Sequence, residues 1–192
     1  VIINSGYFQN YKHQLNFISK TTACQSTLSI QNHSTVQFNK MSDGSVEVDN
    51  TFKINDKKVF TNKDSWLLEA SHDGFNKRFG IIHHRKIEFF HEKAKMIGTD
   101  KILKKPNFKP SSFEIRFHLD PESKIMKTQD GKTIYIDINN EGWKFTGKNC
   151  NINFETGLFF GLKNNFIENQ NIVISGTVSK NEQKIIWELE KI

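Results

Sequence analysis

The chain has 192 residues, 36% of them hydrophobic and 25% charged, enough for one domain with a substantial core. No apolar run approaches the ~20 residues that span a bilayer, and the opening VIINSGYF lacks the basic start and long apolar core of a signal peptide. Lys and Arg outnumber Asp and Glu by 27 to 21, and the net charge of +6 suits polyanions (nucleic acid, acidic lipid or acidic polysaccharide) or else reflects a Lys- and Asn-rich source with no such partner. The basic residues are spread out, with residues 101–105 the densest cluster. No zinc-knuckle spacing, RNA-binding aromatic signature or basic helix accompanies them, which argues against nucleic acid. Two cysteines, Cys24 and Cys150, are too few for a metal spacing or a paired redox motif; whether they join depends on the fold, so the compartment stays open. A start at Val inside a strand-like run suggests a processed product or a piece of a longer protein.

Residues 1–6 read as a short apolar strand closed by a polar turn, and residues 7–16 as a polar, aromatic surface loop. Residues 17–31 are rich in Thr, Ser and β-branched side chains and read as a strand. An extended run resumes at 35–38, and short strands continue at 46–48, 52–54 and 59–60. Residues 66–90 read as two strands joined by a tight turn at His72-Asp73-Gly74, since Asp-Gly tolerates the left-handed geometry of short hairpins. In the second strand Phe79, Ile81, His83, Arg85, Ile87 and Phe89 share one face. That face is apolar at both ends with a histidine and an arginine between, either a buried, hydrogen-bonded structural pair or the floor of a polar cleft. A Lys-rich connection with Pro106 and Pro110 follows, and 101–112 reads as an internal loop. FEIRFHLDP then alternates, with Phe113, Ile115, Phe117 and Leu119 toward the core and Glu114, Arg116, His118 and Asp120 facing away; Pro121 ends it. Asp130-Gly131 signals a hairpin into Ile134, Ile136 and Ile138, Glu141-Gly142 a turn into WKF, and further strands follow at NINF, GLFFGL, NIVISGTVS and IIWELE. Helical periodicity is nearly absent. Many short alternating runs, punctuated by Gly, Asn and Asp, predict an all-β fold: one antiparallel multi-stranded β-sandwich with little or no helix.

The seven histidines show no helical zinc spacing, and the adjacent His83 and His84 point oppositely on a strand. His72 is an exposed turn histidine or a cleft residue. Arg116 and His118 share a polar strand face that either meets an anionic ligand or is simply solvated. Phosphate loops and serine nucleophile elbows are absent. By its residues alone the chain is basic and all-β and does not declare an enzyme.

An ordered set of blocks goes further. VIINSG, TTACQSTLSI, ASHDGFNKRFGIIHHRKI, RFHLDP, EGWKF, ETGLFFG and NIVISG occur in the order of similar blocks in one family. Across essentially its whole length the chain resembles the C-terminal β-domain of the heparinase II/III-like polysaccharide lyases, in particular their proteobacterial branch. The resemblance implies a parent with a helical N-terminal toroid outside this chain and an active cleft between the two domains. It implies β-elimination of acidic, uronate-containing glycans: the uronate carboxylate is neutralised, a Tyr or His base removes the C5 proton, and an acid protonates the leaving O4. The family's catalytic Asn and Tyr come from the helical domain and its His-x-His pair from the strand before Val1, so the catalytic residues are expected outside this chain. Asn4 stands where zinc-bearing members carry an Asp, and Gln25 where the family block has its His; neutral amides are poor zinc ligands, so no metal and no cofactor are expected. His72, His83, Arg85, Arg116 and His118 are the candidate glycan-cleft residues or their supports, with arginines holding carboxylate or sulfate by paired hydrogen bonds. On that view truncating Arg85 weakens glycan binding without unfolding the domain. The expected partners are an acidic polysaccharide and the helical domain of the same protein. Localisation is periplasmic if the chain follows secreted members, otherwise cytoplasmic. Two other readings share the fold: a non-enzymatic carbohydrate-binding module, and a structural domain docking a partner through its apolar sheet face.

Overall fold

The structure is a computed structural model that describes residues 1–43, 45–49 and 52–192. In chain order its strands are β1 (Ile2–Ile3), β2 (Leu28–Ile30), β3 (Gln37–Lys40), β4 (Val46–Asp49), β5 (Ile54–Thr61), β6 (Ser65–Phe75), β7 (Ile81–Phe90), β8 (Lys95–Lys104), β9 (Ser111–Leu119), β10 (Lys124–Lys127), β11 (Thr133–Ile138), β12 (Glu141–Lys148), β13 (Ile152–Leu162), β14 (Asn165–Val178) and β15 (Glu182–Lys191). Two short helices interrupt them, α1 (Gln14–Ser19) and α2 (Asn76–Phe79), with one 3₁₀ turn at Thr22–Cys24. The strands form an all-β, antiparallel sandwich. The larger sheet runs β10-β11-β12-β15-β8-β7-β6-β5, and the smaller runs β1-β9-β14-β13. On one edge of β9, β1 and β2 lie end to end, pairing Ile2 with Leu119 and Leu28 with Ile115. A separate β3–β4 hairpin lies outside both sheets.

Alternation explains the core. Phe113, Ile115, Phe117 and Leu119 of β9 and Ile172 and Ile174 of β14 all point inward and are buried. They meet Ile81, Ile102, Ile134, Ile136, Phe145 and Trp187 of the larger sheet. The Phe117 ring centroid sits 4.9 Å from Phe145 and 4.8 Å from Trp187. Each such side chain contributes about 1.5–3 kcal/mol by leaving water. A second, small cluster of Phe8, Cys24 and Phe160 fixes the N-terminal segment to the outside of the smaller sheet. Cys24 and Cys150 sit in different clusters and are both free thiols.

Several local expectations change. Asp73-Gly74 is not the turn: β6 runs on through a bulge to Phe75, and the reversal is made by α2 and Gly80, the residue at φ +63°. Residues 17–31 are mostly not strand. His13 Nδ1 caps α1 by accepting from the Leu15 N–H, and only Leu28–Ile30 pairs in a sheet. Helix α1 also claims part of the loop expected at 7–16. The Lys-rich segment is largely β8, whose alternate residues Gly98, Asp100, Ile102 and Lys104 are buried; only the Pro-bearing stretch after Lys104 remains a loop. The turn before WKF is Asn139-Asn140, at φ +53° and +60°, while Glu141 and Gly142 already pair in β12. Two consecutive positive φ values are what a primed two-residue hairpin demands, and Asn tolerates them.

Candidate functional site

Three predicted residues meet on the inner face of the larger sheet. Pairing places His72 of β6 opposite His83 of β7, and Arg85 of β7 opposite Asp100 of β8. Asp100 is fully buried and accepts two bonds on each oxygen. Oδ1 takes His83 Nε2 at 2.6 Å and Arg85 Nε at 2.7 Å, while Oδ2 takes Arg85 Nη2 at 3.2 Å and Trp187 Nε1 at 2.9 Å. Burial pushes the Asp100 carboxyl upward, but Arg85 and His83 outweigh it and hold it well below the usual carboxylate range.

An ionised carboxylate only accepts, so His83 carries its proton on Nε2. Burial lowers the pKa of His83 despite Asp100, so the ring is neutral and its Nδ1 accepts. His72 Nε2 then donates to it across 3.2 Å, and His72 Nδ1 accepts the Gly74 N–H at 3.3 Å. Burial, then the neighbouring His83, push His72 down to about 4. Gly74, His72, His83 and Asp100 therefore form one oriented chain of neutral donors ending on a charge.

The other two predicted residues lie on the outer face of the smaller sheet. That face is not solvated at His118, which is 2% exposed beneath the N-terminal segment. His118 Nε2 donates to the Ala23 carbonyl at 2.9 Å, so Nδ1 accepts from Ser5 Oγ, also at 2.9 Å. Burial, then Arg116, lower His118 to about 4, against the opposing pull of the Ala23 carbonyl. A serine donating to an oriented imidazole has the form of a nucleophile and its base. With Ser5 at 1% exposure, no substrate reaches it, and the pair is a clasp. Arg116 Nη2 is neutralised by Glu155 at 2.7 Å and Glu114 at 3.1 Å.

Both groups converge on one turn, residues 23–27. Ser26 carbonyl oxygen accepts from Arg85 Nη1 at 2.6 Å, Ser26 Oγ accepts from the His118 backbone N–H at 2.9 Å and donates to the Ile3 carbonyl, and Ser26 N–H donates to Asn4 Oδ1 at 2.8 Å. Arg116 N–H adds a bond to the Thr27 carbonyl at 3.1 Å. The five predicted residues thus do not line one open cleft. Arg85 from one sheet and His118 from the other brace the turn that presents Gln25, beside the exposed Asn4. Next to it, a cavity of about 420 Å³ opens between the sheets, lined by Val1, Arg85, Phe89, Met96, Trp143 and Trp187 among others. The sequence reading missed Asp100 and Trp187, which organise the inner cluster. The available signal was the alternation Met96, Gly98, Asp100, Ile102, an acid on an otherwise apolar strand face.

At this turn Asn4 and Gln25 offer neutral amides, poorer zinc ligands than carboxylate or imidazole, and Asn4 Oδ1 is already an acceptor for Ser26.

Solved structures share the architecture. The chain aligns with a mutant of the heparan sulfate lyase HepC from Pedobacter heparinus at TM-score 0.74 and 13% identity, covering 99% of this chain and 28% of that one. It aligns with one heparinase III at TM-score 0.73 and 10% identity, over 100% of this chain and 28% of the other. A further heparinase III gives 0.68 and 14%, over 98% and 26%. Likenesses at such identity establish the fold, and the chain spans little more than a quarter of each of these proteins. No curated protein matches the chain significantly. The family model described as "Heparinase II/III-like, C-terminal" matches residues 1–188, all but the last four positions. On that match, and with the sandwich it predicts in place, the chain belongs to the heparinase II/III-like C-terminal family.

Proposed function

We propose that residues 1–192 are a single β-sandwich domain, the C-terminal part of a polysaccharide lyase that cleaves acidic, uronate-containing glycans by β-elimination. On this reading the domain forms one wall of the cleft and is inactive by itself. The observation that carries it is the family match across residues 1–188, joined to the braced turn at Asn4 and Gln25. Both sheets hold that turn rigidly, as a substrate-facing wall requires. Gln25 can donate and accept a hydrogen bond to a sugar hydroxyl or carboxylate, although it cannot serve as a base. Arg116 becomes available to a glycan anion where that anion displaces Glu155. His72, His83, Arg85 and His118 act as supports, since their polar atoms are already committed. No helix among the described residues is long and apolar enough to cross a membrane.

The test is elimination. The protein with its helical domain, incubated with a uronate polysaccharide, should release products bearing the unsaturated C4–C5 bond, seen by ultraviolet absorbance, whereas residues 1–192 alone should release none. Absence of product from the longer protein across a panel of uronate glycans would remove the lyase reading and leave a binding module. The same purified protein should hold no stoichiometric zinc; zinc at one equivalent that Gln25→Ala removes would refute the account of this turn.

A further inference from the structure

We propose that the hollow between residues 11–17 and the β3–β4 hairpin is a separate contact site for an acidic sugar, distinct from the Gln25 wall. The proposal rests on the acidic-glycan reading above and adds a place and a chemistry to it. The hollow has a volume of about 550 Å³ and is lined by Tyr11, Lys12, His13, Gln14, Phe17 and Phe38, with Val46 at its edge. Its size falls in the ordinary range for small-molecule sites.

Three features set it apart from an incidental surface dent. Its rings are not spent on the core: Tyr11 is 56% exposed and Phe17 37%, and Phe17 is propped edge-on against Phe38 at 5.3 Å. A flat, half-exposed ring is a stacking platform for the C–H face of a pyranose, and it loses little entropy on binding because few bonds rotate. A cation sits at the ring: Lys12 Nζ is 5.8 Å from the Tyr11 centroid.

The polar lining is asymmetric. His13 Nδ1 accepts the Leu15 N–H, which leaves Nε2 as the ring's outward donor, and Gln14 supplies an amide. The charged group among the described lining residues is Lys12, which complements an anion. Stacking ring, ammonium and neutral donors together match a uronate or sulfated residue, with the ammonium on the acid group and the donors on hydroxyls.

The experiment is titration of the 192-residue chain with a heparan sulfate hexasaccharide, followed by calorimetry and amide NMR shifts. Cellohexaose of the same length is the neutral control. Tyr11→Ala and Lys12→Gln alter exposed side chains, and unchanged melting temperatures confirm that each variant folds. We expect each to weaken hexasaccharide binding by about tenfold or more, and the neutral sugar to bind at least tenfold more weakly than the charged one. Neutral and charged sugars binding within twofold of each other would overturn the proposal, as would tighter binding of a single-stranded oligonucleotide. So would wild-type affinity in both variants alongside loss in Gln25→Ala, an outcome that leaves the lyase reading intact. No binding at millimolar sugar also overturns it. Conversely, binding through Tyr11 by a parent protein that yields no unsaturated product would sink the lyase reading alone.

Discussion

Asp100 is the most consequential single residue, because a buried carboxylate survives only with its partners in place. Arg85 supplies two of its four bonds and also reaches Ser26. Arg85→Ala leaves the charge with His83 and Trp187 alone, and removing one partner of a buried ion pair costs roughly 3–5 kcal/mol. We expect a large drop in melting temperature for Arg85→Ala and a clear coupling energy with Asp100→Ala in a double-mutant cycle. Unchanged melting with lost glycan affinity would instead make Arg85 a ligand. The histidines set a pH dependence whose sign is fixed. His72 and His118 titrate at about 4 in the folded chain, against about 6.5 when unfolded. Above pH ~6.5 both are neutral in both states and stability is complete; as pH falls toward about 4 the unfolded chain binds protons that the folded one refuses, and stability declines. Urea melts across that window should show the decline, and a smaller one in His72→Phe. A flat profile would contradict the neutral donor chain.

At the scale of the element, β8 shows why one strand carries so much. Its inner face runs Met96, Gly98, Asp100, Ile102 and Lys104, and Trp187 of β15 lies directly over Gly98, with an added Cβ landing 2.0 Å from the indole. Gly98→Ala therefore displaces the ring that donates to Asp100. The overpacking costs about 1–3 kcal/mol, and the lost bond to a charged group adds roughly 1.5–3 kcal/mol. A urea midpoint shift with altered tryptophan fluorescence checks this; an unshifted midpoint would mean that the indole is not pinned there. This strand was hidden in the sequence by its lysines, which resemble a basic loop when read linearly: Lys95 and Lys101 lie on the outer face, and Lys104 is buried on the inner one. Strands β9 and β11 were legible because apolar side chains alternate strictly along them. Segments 14–24 were misread for a related reason: Thr and Ser favour strands on average, yet the His13 cap and packing of Leu15 and Ile18 on Phe8 turn the chain into helical turns.

For the molecule as a whole, the sandwich was readable from periodicity, and the family from the order of its blocks, while the organisation of the site was not. His83 and Arg85 stand out on an apolar strand face, but their partner Asp100 lies on the neighbouring strand, and His118 meets Ser5 across 113 positions of sequence. Such encounters depend on strand order, which local patterns do not encode. A tight turn at Gly74 left His72 either exposed at the turn or in a cleft, whereas the bulged continuation of β6 carries it inward against His83. One consequence of the arrangement at Ser26 is mechanical. Its carbonyl is tied to the larger sheet and its hydroxyl to the smaller, so it rivets the two layers at a point. Sliding one layer over the other by a single residue, ~3.3 Å, would break the Arg85 tie, while the bonds of Ser26 and Thr27 to β9 keep the turn on the smaller sheet. The Arg85 bond thus fixes the register of the turn bearing Gln25 against the larger sheet, in addition to the shared core that packs the two layers.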